Sequence, residues 1–168
     1  MSYYQDVVVE YLRADRARFV NTEYLIQLNP NNESKGTFWY CEAVAVSFSD
    51  STIYLCEVTY SKTMTALIKR LRAWSANWSG VRAALIRDAQ IPNPKDWAVK
   101  LWLFVPAKYE PLLRQKLTSV PNVGIGDDQM PTPEIRTLES VTPWNHGLWN
   151  KKLAVLGEQE ETARLADA

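Results

Sequence analysis

Two glutamates carry the first suggestion of chemistry. Glu42 lies in Phe38-Trp39-Tyr40-Cys41-Glu42-Ala43-Val44 and Glu57 in Tyr54-Leu55-Cys56-Glu57-Val58-Thr59, each the sole charge in an apolar, β-rich run. Charged residues are depleted from strand interiors, and a carboxylate buried without a partner is costly. The two runs are joined by Ser47-Phe48-Ser49-Asp50-Ser51-Thr52, which reads as a hairpin. A two-residue turn at Ser49-Asp50 sets Glu42 directly opposite Glu57. A turn at Asp50-Ser51 sets Glu42 opposite Thr59 and Glu57 opposite Val44. In both registers the two carboxylates share a face of the sheet. Like charges so placed repel each other. A divalent cation turns that repulsion into attraction, and hard oxygen ligands suit Mg²⁺ or Mn²⁺. A third carboxylate, Glu10, sits at the margin of the apolar stripe of an N-terminal helix and reaches the same site if that helix packs on the sheet. The plainer readings are a solvent-facing glutamate at a sheet edge or an ion pair with one of the arginines.

Cations follow the hairpin. From Val58 to Arg87 there is no acidic residue, while Lys62, Lys69, Arg70, Arg72, Arg82 and Arg87 fall in that interval. Lys62, Lys69 and Arg72 lie opposite a Leu67, Leu71, Trp74 and Trp78 stripe, with Arg70 to one side. Such a concentration is the footprint expected for phosphate contacts. Its alternative is a solvated helix face whose acidic partners come from elsewhere in the fold.

The elements that must position these residues follow from periodicity. Residues 3–16 predict a helix, with Tyr4, Val7, Val8, Tyr11 and Leu12 in one stripe. Residues 19–28 predict a strand, followed by a turn-rich loop over residues 29–36. The hairpin strands cover residues 38–46 and 53–61. A helix is expected over residues 62–78, ended or kinked at Gly80 and resumed over residues 81–86. Residues 97–105, nearly all apolar, suit a central strand buried on both faces. A short helix over residues 108–117, a strand over residues 134–141 and a terminal helix or tail over residues 157–168 complete the pattern. The fold class expected is α/β: a mixed central sheet flanked by helices, in a single domain 1–168 with a core of about 3–120 and an appendage of about 121–168.

Composition narrows the function classes. The net charge of +0 disfavours a protein that coats nucleic acid by bulk charge, though not one with a local basic surface. No apolar run approaches the roughly 18–20 residues of a membrane span, and no signal peptide is evident, so a cytoplasmic protein is expected. Two cysteines, Cys41 and Cys56, are expected as reduced core thiols on the face away from the carboxylates. With His146 the single histidine, no zinc site is expected. Neither a P-loop nor a Gly-x-Ser-x-Gly elbow is present. Trp144 and Trp149 suit packing of the appendage to the core, or stacking on bases or a partner.

A helix bearing Glu10, a hairpin bearing Glu42 and Glu57-Val58-Thr59, and a basic helix together resemble the PD-(D/E)XK nuclease superfamily over about residues 3–106. The resemblance implies a restriction-endonuclease-like α-β-β-β-α-β core. It also implies Mg²⁺ (or Mn²⁺) ligated by Glu42 and Glu57, with Glu10 as a supplementary ligand. Thr59 stands where that pattern has its lysine, and Glu42 stands where an aspartate is usual. Lys62 is the residue expected to supply the ammonium from a shifted position. The implied activity is metal-dependent hydrolysis of phosphodiesters in DNA, or in RNA, with Glu42, Glu57 and Lys62 catalytic and Lys62, Lys69, Arg70 and Arg72 binding the nucleic acid. The alternative is a non-catalytic module of the same fold that binds nucleic acid or a protein partner, including a second copy of itself.

Overall fold

In the computed structural model, which describes residues 3–15, 18–31 and 38–142, the chain opens with helix α1 (Tyr3–Ala14). Val8 and Leu12 are buried and Val7 and Tyr11 pack beside them, as their spacing predicts; Tyr4 stays exposed. Three antiparallel strands follow: β1 (Arg18–Gln27), β2 (Phe38–Ser47) and β3 (Thr52–Val58). Ala43 pairs with Cys56 and Ser47 with Thr52, the register of the Ser49-Asp50 turn. Strand β3 ends short of the expected residue 61, and Tyr60 to Met64 form a loop.

Helices α2 (Thr65–Ala76) and α3 (Trp78–Asp88) then cross back to β4 (Ala98–Val105), which lies parallel to β3. Helix α4 (Glu110–Leu117) leads to β5 (Glu134–Thr137), parallel to β4. The sheet is mixed and five-stranded, in the order β1-β2-β3-β4-β5.

Helices cover both faces. Leu67, Leu71, Trp74 and Trp78 are all buried, as their stripe predicts. With Val81 and Leu85 of α3 and Leu113 of α4 they pack on Ile53, Leu55, Leu101 and Leu103 of the central strands. Each such side chain contributes roughly 1.5–3 kcal/mol through its burial. On the other face, Val8 and Leu12 of α1 meet Tyr54, Cys56, Trp102 and Phe104, together with Leu138 and Val141. Strands β3 and β4 are therefore enclosed between two helical layers, which accounts for their continuous apolar runs.

Two local expectations are corrected. The helical break falls at Asn77, whose φ of −128° leaves the helical range, and not at Gly80. Gly80 lies inside α3, with the side chain of Leu28 3.2 Å from where a Cβ would be. Strand β5 stops at Thr137, whose hydroxyl accepts the Ser140 N–H at 3.3 Å and starts a 3-10 turn over Leu138–Val141. Trp144, His146, Trp149 and residues 157–168 lie outside the described residues.

Candidate functional site

Glu57 is the feature around which the site is built. In β3, Ile53 and Leu55 point toward α2 and α3, and the alternation of the strand sends Glu57 the same way. The residue is only 2% exposed. Its Oε2 accepts a hydrogen bond from the Arg70 guanidinium on α2, an ion pair across the layer. Its Oε1 is buried without a hydrogen-bond partner among the described residues. The neighbouring Cys41 thiol directs its hydrogen to the backbone carbonyls of Ala43 (3.2 Å) and Cys56 (3.4 Å). Burial pushes the Glu57 carboxyl up to about 7, although the Arg70 charge pulls the other way.

Glu42 takes a different direction. Continuing the β2–β3 register one step past Ala43 and Cys56 sets Glu42 level with Glu57, yet Glu42 accepts its hydrogen bond from the Gln5 amide of α1. The reason lies in the backbone. Strands β1 and β2 pair from Arg18–Ser47 to Thr22–Ala43 and resume at Tyr24–Cys41, missing Glu23 and Glu42 between them. Glu23 has a left-handed φ of 51°, rare for a residue with a side chain. Across this point both strands reverse their alternation. Val20, Ala43 and Ala45 pack on the α1 side, whereas Tyr24, Ile26, Trp39 and Cys41 pack on the α2–α3 side. Glu42 thus sits at the reversal itself: it reaches Gln5 of α1, lines one cavity with Arg70, and its charge helps to raise the Glu57 carboxyl. The placement of both cysteines on one face is corrected: Cys41 lies on the Glu57 side and Cys56 on the α1 side.

Glu10 does not join them. It is exposed on α1 and pairs with Arg13 at 3.5 Å. Among the described residues no three His, Cys, Asp or Glu side chains are grouped to hold a metal ion. Arg70 also sets its positive charge against Glu57 Oε2, where it would repel a cation approaching the unpaired Oε1. These residues do not fit the magnesium site that the resemblance implies. What does open at this end of the sheet is a cavity of about 360 Å³, lined by Gln5, Glu23, Tyr40, Cys41, Glu42 and Arg70. Sequence reading missed Gln5 and Glu23. Nothing in local periodicity marks a left-handed residue within a strand.

The cations divide by type. Arg72 donates to the Ser119 carbonyl at 3.3 Å and to its hydroxyl at 2.8 Å, tying α2 to the turn after α4. Arg82 donates to the carbonyls of Pro94 (3.3 Å) and Trp97 (3.2 Å). Arg87 donates to the Gln27 carbonyl at 2.8 Å and pairs with Asp88. The fork of five donors on a guanidinium suits such bridging of elements. Lys62 in the loop after β3 and Lys69 on α2 are exposed and form no ion pair among the described residues. Of the expected basic face, Arg70 and Arg72 are turned to structural partners, while the two lysines are presented to solvent.

No helix among the described residues is long and apolar enough to cross a membrane. Comparison of the chain with family models, with curated proteins and with solved structures found no match.

Proposed function

We propose that the chain is a non-catalytic, nucleic-acid-binding module on a nuclease-like α/β scaffold. The observation that carries this reading is the Glu57–Arg70 pair. Where the resemblance calls for a carboxylate that holds a metal, the carboxylate is held by a guanidinium. The residue two positions on, Thr59, is buried and carries no ammonium. The order of helices and strands supports the scaffold, since a three-stranded meander is followed by a helical crossover to a parallel fourth strand. The exposed Lys62 and Lys69 near the same end of the sheet supply the phosphate contacts.

Fluorescence anisotropy with labelled single-stranded and duplex oligonucleotides tests this, with and without Mg²⁺ or Mn²⁺. Salt-sensitive binding with the strands left whole is the expected result. Metal-dependent scission that disappears in Glu57→Ala would overturn it in favour of the catalytic reading, with Glu42, Glu57 and Lys62 as the active residues. Absence of binding to any oligonucleotide at low salt would overturn it in favour of a protein-interaction domain.

A further inference from the structure

A second cleft lies over the carboxyl ends of the three parallel strands, the end at which open α/β sheets usually bind their ligands. It measures about 440 Å³ and takes its walls from the segments that leave those strands: Tyr60 after β3, Pro106 and Lys108 after β4, and Leu138 after β5. The first turn of α1 closes it with Tyr3 and Tyr4. The rings form a continuous group. Tyr4 lies 5.7 Å from Tyr3 and 5.6 Å from Tyr60, centroid to centroid. Tyr3 and Tyr60 are nonetheless 71% and 54% exposed, so their faces are available to a ligand.

Charge selects among ligands for such a surface. Lys108, whose ammonium lies 4.8 Å from the Tyr109 ring centroid, is the cation among the described residues that line the cleft, and Lys62 stands two residues beyond Tyr60. The Glu139 carboxylate in the wall is engaged by the Ala107 N–H at 2.8 Å. Aromatic faces beside ammonium groups match a planar base joined to a phosphate. A peptide anchor would call for a deep apolar socket, whereas these rings stand open. In a duplex the bases are stacked on one another and cannot reach tyrosine faces; in a single strand they can.

We infer that this tyrosine cleft binds single-stranded nucleic acid, stacking an unpaired base on Tyr60 and Tyr4 with the adjoining phosphate at Lys108. The inference rests on the binding module proposed above and names its substrate class. Anisotropy titrations of the full chain with a single-stranded oligonucleotide and its duplex, using wild type, Tyr60→Ala, Tyr60→Phe and Lys108→Ala, test it. Tyr60→Ala should weaken single-strand binding on the order of tenfold, with Tyr60→Phe close to wild type and duplex binding unmoved. Lys108→Ala should lower the slope of log affinity against log salt by about one. Thermal melts check that each variant folds. Single-strand binding untouched by Tyr60→Ala would overturn the inference while leaving the general module in place. So would tighter, Tyr60-dependent binding of an aromatic-rich peptide than of the oligonucleotide. Absence of binding to either nucleic acid would overturn both proposals.

Discussion

Arg70 on α2 and Glu57 on β3 form an ion pair with very unequal exposure: the carboxylate side chain is 3% exposed and the guanidinium side chain 26%. The pair joins the crossover helix to the central sheet, with Arg70 in the wall of the Glu42 cavity. Its acid carries most of the desolvation cost, and its base can shed part of its own to water.

Removing the base should therefore be the harsher change. Arg70→Met is expected to destabilise the fold by about 3 kcal/mol, because it leaves a buried carboxylate unpaired. The double variant Glu57→Leu/Arg70→Met should recover most of that loss. Urea denaturation of the single and double variants gives the coupling, and independent additive losses would contradict the pairing argument.

The raised Glu57 carboxyl makes a pH prediction with a definite sign. The folded state holds this proton up to about 7, whereas the unfolded chain releases it near the ordinary carboxylate value of about 4.3. Between these values the native state binds more protons, so stability falls as pH rises. Below that window the contribution is full, and above it the loss is constant. Relative to Glu57→Gln, the wild type should lose up to about 4 kcal/mol across the window. A flat difference between the two unfolding curves from acid to neutral pH would contradict this.

The division of cations predicts a division of phenotypes. Lys62→Ala and Lys69→Ala should weaken oligonucleotide binding and each reduce its salt slope by about one, with little change in stability. Arg72→Ala should leave binding unchanged and lower stability by roughly 0.5–1.5 kcal/mol through its lost bonds to Ser119. Anisotropy and thermal melts on the three variants check both halves.

Burial pushes both thiols up, and Cys41 and Cys56 are fully enclosed on opposite faces of the sheet. Neither should react with a soluble disulfide reagent at pH 8 in the folded protein, and both should react once urea unfolds it. Rapid labelling of either thiol without unfolding would count against their placement.

Gly80 offers a test of packing against propensity. Alanine gains up to about 1 kcal/mol over glycine inside a helix, but its Cβ would press on Leu28 at 3.2 Å. Leu28 follows the last residue of an edge strand and is only partly buried, so its flexible side chain is expected to give by the few tenths of an ångström required. A net gain of a few tenths of a kcal/mol is expected in the melting of Gly80→Ala; a loss would mean that Leu28 is held in place.

Much of the architecture was legible before any coordinates. The stripe of Leu67, Leu71, Trp74 and Trp78, the apolar run before Pro106 and the hairpin around Ser49-Asp50 are local patterns, set by the repeat of helix and strand, although the hairpin's register was left between two turns. Glu57 stood out for the same reason, as a charge within a buried strand. The direction of Glu42 and the partner of Glu57 belong to another level. The reversal of alternation at Glu23 and Glu42 arises where the pairing of two strands is interrupted around the left-handed Glu23, and no repeat within either strand encodes it. The pairing of Arg70 with Glu57 depends on how α2 crosses the sheet, since residues 13 apart in sequence meet only through that packing. Sequence alone thus determined which elements form and which charges are anomalous. Tertiary structure decided which of those charges meet, because desolvation and pairing act between elements and not along them.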